Sequence, residues 1–412
     1  MKLMWLCNMI PAAVQEKRKG SASGGMWVDH VLSGLRQQDM DIRILCLGTE
    51  TDSGELDSRC SYGIFQEGPP YVYLPELESR FREELKAWQP DVLHIWGTEY
   101  GHTLAMVNAA EALGLLDRVV VSIQGLCSVY PRHYAEGLPE KVCRGYTFRD
   151  LVRRDNIRGQ QKKFALRGDL EEKALRKVRH VIGRTDWDRV CTARINPEAA
   201  YHFCNETLRE PFYEGLWQYE GCQKHRIFAS SCMYPIKGFH YLLEAFGELT
   251  KQYPDATLAV PGNSYLTMNP LRRTNYQKYL ADLTRRFGLE NKIEFLGSLT
   301  AEEMKAQYLR ANVFVLPSTI ENSPNSLGEA MLLGVPCVAA DVGGVGNMLA
   351  NGREGYVYQS TAPYMLAHNI RNVFEQGSGA ESMSLAARSH AAVTHDPEKN
   401  LQELLEIYRS LL

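Results

Sequence analysis

The chain has 412 residues, 44% of them hydrophobic and 23% charged, with a formal net charge of −3. That length holds two or three domains with cores of their own, and the composition excludes collagen-like, low-complexity and disordered classes. A charge so near neutral gives no global basic field of the kind that gathers nucleic acid. The ten cysteines are scattered without a C-x-x-C pair, which excludes zinc-ribbon and thioredoxin readings. Unpatterned cysteines in a chain this large indicate a reducing cytoplasm rather than a disulfide framework. No apolar run approaches the ~20 residues that span a bilayer. The opening MKLMWLCNMIPAA has one lysine and a short apolar stretch, as signal peptides do. The stretch is interrupted by Asn8, and a buried first strand is the expectation.

Apolar runs alternate with amphipathic helical stretches along the chain. In the first half KLMWLC, DIRILCL, YVYL, DVLHIW, VVVSIQ and HVIGR read as strands; from residue 226 RIFAS, TLAVPG, IEFLG, VFVLPS, PCVAAD and YVYQ repeat the pattern. Near-continuous apolar strands separated by helices make parallel sheets covered on both faces. A dozen strands exceed what one open sheet usually carries. The expectation is therefore α/β with two doubly wound Rossmann-like domains, 1–214 and 215–396. The irregular aromatic stretch EPFYEGLWQYEGCQK (210–224) marks the boundary, and a last helix, 397–412, follows the break at THDPEKN.

Two helix starts carry capping signals. Thr300 precedes Glu303 by three residues, and Thr185 stands likewise before Asp188. Helices that begin after parallel strands aim their positive ends at the crevice where such folds bind ligands. The D-x-D triplets Asp39–Asp41 and Asp186–Asp188 invite a metal reading. The first falls at a helix-to-strand return and the second at a cap, so no metal site is expected.

The stretch VFVLPSTIENSPNSLGEAMLLGVPCVAADVGGVGNML (313–349) is the most informative. A strand ends at Pro317 and Ser318, a loop carries Glu321, and Pro324, Asn325 and Ser326 open a short helix that holds Glu329 and stops at Gly334. The amides of Asn325 and Ser326 then form a helix N-terminus able to hold an anion. A turn at Gly343 and Gly344 follows the next strand.

This stretch resembles glycosyltransferase family 4, the retaining nucleotide-sugar-dependent enzymes built from two facing Rossmann-like domains, the GT-B architecture. The family's E-x(7)-E element, A-M, G-x-P-V-V-A and later G-G are matched by ENSPNSLGEAM, GVPCVA and VGG. PIKGFHYLLEAF (235–246) resembles its lysine-glycine segment, IEFLGSLTAEEM its strand and glycine turn, and Gly24, Gly25 and PDVLHIWG its first half. The resemblance implies transfer of a sugar from a nucleotide-sugar donor to a saccharide or lipid-linked acceptor hydroxyl, in polysaccharide or glycoconjugate synthesis in the cytoplasm. It also implies a last helix that packs back on the first domain. Lys237 and Glu321 take the catalytic positions, the first at the leaving diphosphate and the second at hydroxyls of the donor sugar. Glu329 falls at the ribose, and Asn325, Ser326, Gly24 and Gly25 at the donor phosphates. No cofactor and no metal are implied.

Two departures stand out. No arginine occupies SSCMY (230–234) ahead of Lys237, and Trp96 and Gln124 stand where many members carry a histidine. Both keep open an alternative, a non-catalytic nucleotide-sugar-binding or scaffold relative. Gln124, Glu99 and His102 border the first domain's expected cleft as acceptor-side candidates, though a histidine at a helix start reads more readily as a surface or capping residue. In residues 149–167, Arg149, Arg153, Arg154, Arg158, Lys162, Lys163 and Arg167 oppose only Asp150 and Asp155, a net of +5. With Leu151, Val152, Phe164 and Leu166 interspersed, the segment is either a solvated helix face or a peripheral contact with an anionic membrane, on the inner face for a cytoplasmic protein.

Overall fold

In the first strand, β1 (Lys2–Cys7), side chains alternate between two apolar layers: Leu3, Trp5 and Cys7 enter one, Met4 and Leu6 the other. A strand buried on both faces needs helices on both faces. The helices Trp27–Arg36 and Pro397–Ser410 contribute to the first layer, and Pro75–Trp88 and Gly101–Glu111 to the second. The structure, a computed structural model, describes residues 1–20 and 27–412.

The first sheet continues with β2 (Asp41–Gly48), β3 (Asp52–Asp57), β4 (Cys60–Gln66), β5 (Val92–Trp96), β6 (Val119–Ser122), β7 (His180–Gly183) and β8 (Ala200–Phe203). Its order is β3-β4-β2-β1-β5-β6-β7-β8, parallel except for the antiparallel pair β3–β4. The second sheet holds β9 (Arg226–Ala229), β10 (Thr257–Val260), β11 (Ile293–Phe295), β12 (Val313–Leu316), β13 (Cys337–Asp341) and β14 (Tyr356–Gln359). It is parallel throughout, in the order β11-β10-β9-β12-β13-β14.

All six strands expected in the second half form. In the first half, YVYL (71–74) is no strand: Pro69 and Pro70 offer no backbone N–H, Val72 closes a turn on the Pro69 carbonyl at 2.9 Å, and Pro75 opens a helix. The polar β3, with alternately half-buried and exposed residues, and the short β8 take places that composition does not announce.

Packing groups Met1–Val129, Lys163–Arg209 and His395–Leu412 into one unit, and Tyr130–Lys162 with Glu210–Thr394 into a second. The chain thus changes unit after Val129, Lys162, Arg209 and Thr394. Residues 130–162, expected with the first domain, pack with the second. There the Thr147 hydroxyl donates to the Arg273 carbonyl at 2.7 Å, and the Asn275 amide donates to Asp150 at 2.8 Å. Short helices of mixed polarity carry no local mark of the surface they will cover.

The helix Pro397–Ser410 belongs to the first unit and is tied to its sheet by buried hydrogen bonds. Trp5 Nε1 donates to the Tyr408 hydroxyl at 3.1 Å. That hydroxyl meets His94 Nδ1 at 2.6 Å, and His94 Nε2 meets Ser122 Oγ at 2.7 Å. Burial pushes the His94 imidazole down to about 3, so it is neutral and satisfied through both nitrogens. Tyr408→Phe leaves the Trp5 indole and one imidazole nitrogen unmatched in a dry core. The expected loss is about 1–3 kcal/mol in urea unfolding; an unchanged midpoint would show that the network contributes nothing.

Candidate functional site

In the second sheet, β10 and β11 build outward on one side of β9, and β12 returns to its other side. The connections after β9 and β12 therefore diverge, and the crevice outside their C-terminal ends is where open α/β sheets take ligands. Lys237 lies on one bank. It ends a single 3-10 turn, Pro235–Lys237, closed by Gly238 at φ 63°. A Cβ at Gly238 would overlap the carbonyl oxygen of Pro317, so only glycine lets this turn press against the segment after β12. The Thr319 amide donates to the Ile236 carbonyl at 2.9 Å, and its hydroxyl donates to the carbonyls of Ile236 and His133.

Glu321 occupies the other bank and is held from its far side. Gly343, at φ 51°, sits where any Cβ would strike the Glu321 carbonyl, and the Gly344 amide donates to that carbonyl at 3.1 Å. Lys237 and Glu321, 84 residues apart, meet with Nζ 2.5 Å from Oε1. The same oxygen accepts from the Ser318 hydroxyl at 2.7 Å. The glutamate side chain is 11% exposed and the lysine 35%. A nearly buried carboxylate so matched by a half-open cation is poised for a charged ligand.

Pro324 then caps the helix Asn325–Leu332 without any side-chain acceptor, leaving the first-turn amides uncapped by a side chain. Asn325 and Ser326 are half-buried. The fully buried Tyr308 fixes this turn by donating to the Ser326 carbonyl at 2.9 Å. Glu329, one turn further on, is 3% exposed. Ahead of Lys237 the arginine-free stretch leaves Met233 and Tyr234 exposed and Cys232 buried.

The first sheet repeats the geometry at β1 and β5, from which β2 and β6 diverge. Asn8 follows β1 and Glu99 follows β5, and the Asn8 amide donates to Glu99 Oε2 at 2.9 Å. Asn8 Oδ1 accepts from His102 Nε2 at 2.8 Å. His102, expected at the surface, is buried; desolvation pushes it down to about 3 and lifts the Glu99 carboxyl to about 7. Gly97, at φ 96°, leaves room for the pair, because a Cβ there would overlap both side chains. Asn8 and Tyr100 line two cavities of about 500 and 330 Å³, the first shared with His102 and the second with Glu99 and Gln124.

Gln124 is fixed by donating to Glu206 at 2.5 Å and accepting from Arg184, which itself pairs with Glu206. Two residues here escaped the sequence reading. Asn8 was visible as a polar side chain at the end of an apolar run. Glu171 gave no signal, yet its buried carboxylate accepts from the Thr98 hydroxyl at 2.6 Å and from the amides of Cys127 and Ser128.

The D-x-D triplets are spent on structure. Arg59 pairs with both Asp39 and Asp41, Asp186 pairs with Arg189, and Asp188 completes the Thr185 capping box. The Thr300–Glu303 box forms as well. Among the described residues no group of three or more His, Cys, Asp or Glu is placed to hold a metal ion. Gly24 and Gly25 lie outside the described residues.

Comparison with known proteins agrees with this geometry. Residues 223–390 match the family described as glycosyl transferases group 1. D-inositol 3-phosphate glycosyltransferase of Corynebacterium urealyticum is 30% identical over 176 residues, covering 43% of this chain and 41% of that protein. Glycogen synthase of Mycobacterium tuberculosis is 27% identical over 172 residues, covering 42% and 39%. The matched segment spans less than half the length of either relative. Sucrose-phosphate synthase from Thermosynechococcus elongatus superposes with a TM-score of 0.74 at 16% identity, over 100% of this chain and 99% of that one. Anabaena HepE, solved in complex with UDP-glucose, gives 0.69 at 17% identity over the whole of both chains. At such identities the likeness concerns the fold, which is the GT-B architecture of two Rossmann-like domains. The residues that match the group 1 glycosyl transferases, Gln223 to His390, include both Lys237 and Glu321.

Proposed function

We propose that this chain transfers a sugar from a nucleotide-sugar donor to an acceptor hydroxyl with retention of anomeric configuration. The observation that carries the reading is the meeting of Lys237 and Glu321 across the β9–β12 crevice, beside a helix N-terminus without a side-chain cap. Cleaving a sugar–phosphate bond builds negative charge on the departing diphosphate. Lys237 and the amides of Asn325 and Ser326 are prealigned to receive it. Lysine has three N–H donors, and Glu321 occupies one, leaving two for phosphate oxygens. Glu321 offers Oε2 to a hydroxyl of the donor sugar, and Glu329 accepts from the ribose. In retention the leaving phosphate takes the acceptor's proton on the same face, so no side-chain base is required. Asn8, Glu99, His102 and Gln124 supply the first unit's hydrogen-bonding surface for a saccharide or lipid-linked acceptor.

The name D-inositol 3-phosphate glycosyltransferase supports glycosyl transfer, and the HepE complex with UDP-glucose supports a nucleotide-sugar donor. A second reading, a relative that binds a nucleotide sugar without transferring it, draws on Ser230, Ser231, Cys232, Met233 and Tyr234, which put no arginine beside the diphosphate. Wild-type protein that binds a nucleotide sugar but transfers to no acceptor would establish it.

A nucleoside diphosphate at a hundredfold excess over Kd is expected to stabilise the protein by ~2.7 kcal/mol, read as a rise in melting temperature. No shift with any common nucleoside diphosphate at millimolar concentration would remove the donor site.

Two variants are expected to differ in kind. Glu329→Gln loses charge-assisted acceptance from the ribose, costing about 1.5–3 kcal/mol of donor binding and mainly raising KM. Lys237→Ala mainly lowers kcat, because the diphosphate carries more charge in the transition state than in the bound donor. Full activity in both variants would refute the assignment.

Turnover is expected to survive EDTA, because Lys237 and backbone amides meet the leaving-group charge. Loss on chelation with rescue by magnesium or manganese would assign that task to a metal.

A further inference from the structure

Most large apolar side chains of the second unit are buried, but four close together are not. Tyr146, Phe148, Leu151 and Val152 are 59%, 61%, 65% and 68% exposed. Phe148, Leu151 and Val152 share one face of the helix Phe148–Arg153 by their spacing, while Asp150 is fully buried. This exposure is not fraying, because the helix is bolted down. Asp150 accepts from the Asn275 amide at 2.8 Å, and Thr147 completes a capping box while donating to the Arg273 carbonyl. Arg153 and Arg154 are exposed beside the apolar face, with Lys162 exposed further along. The acids within the segment are engaged elsewhere: Asp150 is buried against Arg149, and Asp155 lies within 3.9 Å of the same guanidinium.

The structure also trims the basic stretch of the sequence. Lys163 Nζ lies 5.5 Å from the centre of the Tyr71 ring, and Arg167 stacks on Tyr100 and Phe164 while donating to the Glu99 carbonyl at 2.6 Å. Both belong to the first unit, leaving the helix Phe148–Arg153 and its flanks as the basic apolar surface.

We propose that this surface docks the protein on a bilayer bearing anionic headgroups, with Phe148, Leu151 and Val152 entering the interface and Arg153, Arg154 and Lys162 meeting lipid phosphates. A bilayer interface accepts apolar and cationic groups together and demands no shape match. A protein partner is disfavoured by area: a six-residue helix falls well short of the ~800 Å² per partner that stable interfaces bury. Among the described residues no helix is long and apolar enough to cross a membrane, so the contact is peripheral.

The test is co-sedimentation with vesicles of phosphatidylcholine alone and of phosphatidylcholine mixed with phosphatidylglycerol. The full chain is expected to bind the mixed vesicles and to be released as salt rises and the Debye length falls from ~30 Å at 0.01 M to ~8 Å at 0.15 M. Arg153→Gln with Arg154→Gln is expected to weaken binding about fivefold per cation removed. Phe148→Ser, Leu151→Ser and Val152→Ser together are expected to weaken it at least tenfold at fixed salt, with an unchanged circular dichroism spectrum and melting temperature. Wild-type-like binding by the triple variant, equal binding to neutral vesicles, or no binding to mixed ones would overturn the proposal. So would self-association of the wild type that the triple variant abolishes, because the face would then join copies of the chain.

Discussion

The segment after β12 is wedged between two glycines, and the second unit's chemistry depends on that wedge. Gly238 admits the Pro317 carbonyl and Gly343 admits the Glu321 carbonyl, each at a positive φ that other residues resist. A side chain at either position would push the segment away from β9 or from the turn after β13. Lys237 and Glu321 would then lose the 2.5 Å contact that joins the banks of the crevice. The backbone bonds of Thr319 to Ile236 and of Gly344 to Glu321 tie the wedge to the turns on both sides of it. Preorganisation of this kind is what electrostatic catalysis requires, since reorienting dipoles during reaction consumes their stabilising effect.

The first unit solves the same topological problem with hydrogen bonds in place of an ion pair. At its divergence point Asn8 bridges Glu99 and His102; desolvation keeps the His102 imidazole neutral and lifts the Glu99 carboxyl to about 7. The second unit's crevice is joined by an ion pair and the first unit's by the Asn8 side chain. Tyr408 ties the last helix to the same sheet through His94, so that helix takes part in the fold of a unit that the chain leaves at Arg209 and re-enters at His395.

The sequence disclosed more of the second unit than of the first, for physical reasons. Strands buried on both faces announce themselves as apolar runs, and all six of that sheet did so. In the first half the hairpin β3–β4 escaped because β3 stands at the sheet edge with alternate residues exposed, and its DSGELD composition reads as a turn. YVYL forms no strand despite its residue preference, because the prolines that flank it, Pro69, Pro70 and Pro75, lack N–H groups and favour a turn and a helix start instead. Capping boxes were legible because they are local, as at Thr300 and Glu303. The pairing of Lys237 with Glu321, the burial of His102 and the attachment of residues 130–162 were not, since each depends on groups far apart in the chain.

If the second unit's crevice takes a diphosphate, as proposed, the charge has to be met without an arginine at residues 230–234. Lys237 and Glu321 cancel when paired, and Glu329 adds a further buried carboxylate. A diphosphate would bring further negative charge beside an ammonium, that of Lys237, which Glu321 already shares. That repulsion is offset only if the backbone contributes, and Pro324 ensures that it can. With no side chain able to accept from the helix N-terminus, the amides at Asn325 and Ser326 keep their partial positive charge facing outward. A serine or aspartate at 324 would cap the helix and so spend that charge internally. On the proposed reading the helix N-terminus takes the place of a second cation, in a turn fixed by the Tyr308 bond to Ser326 rather than by a mobile side chain.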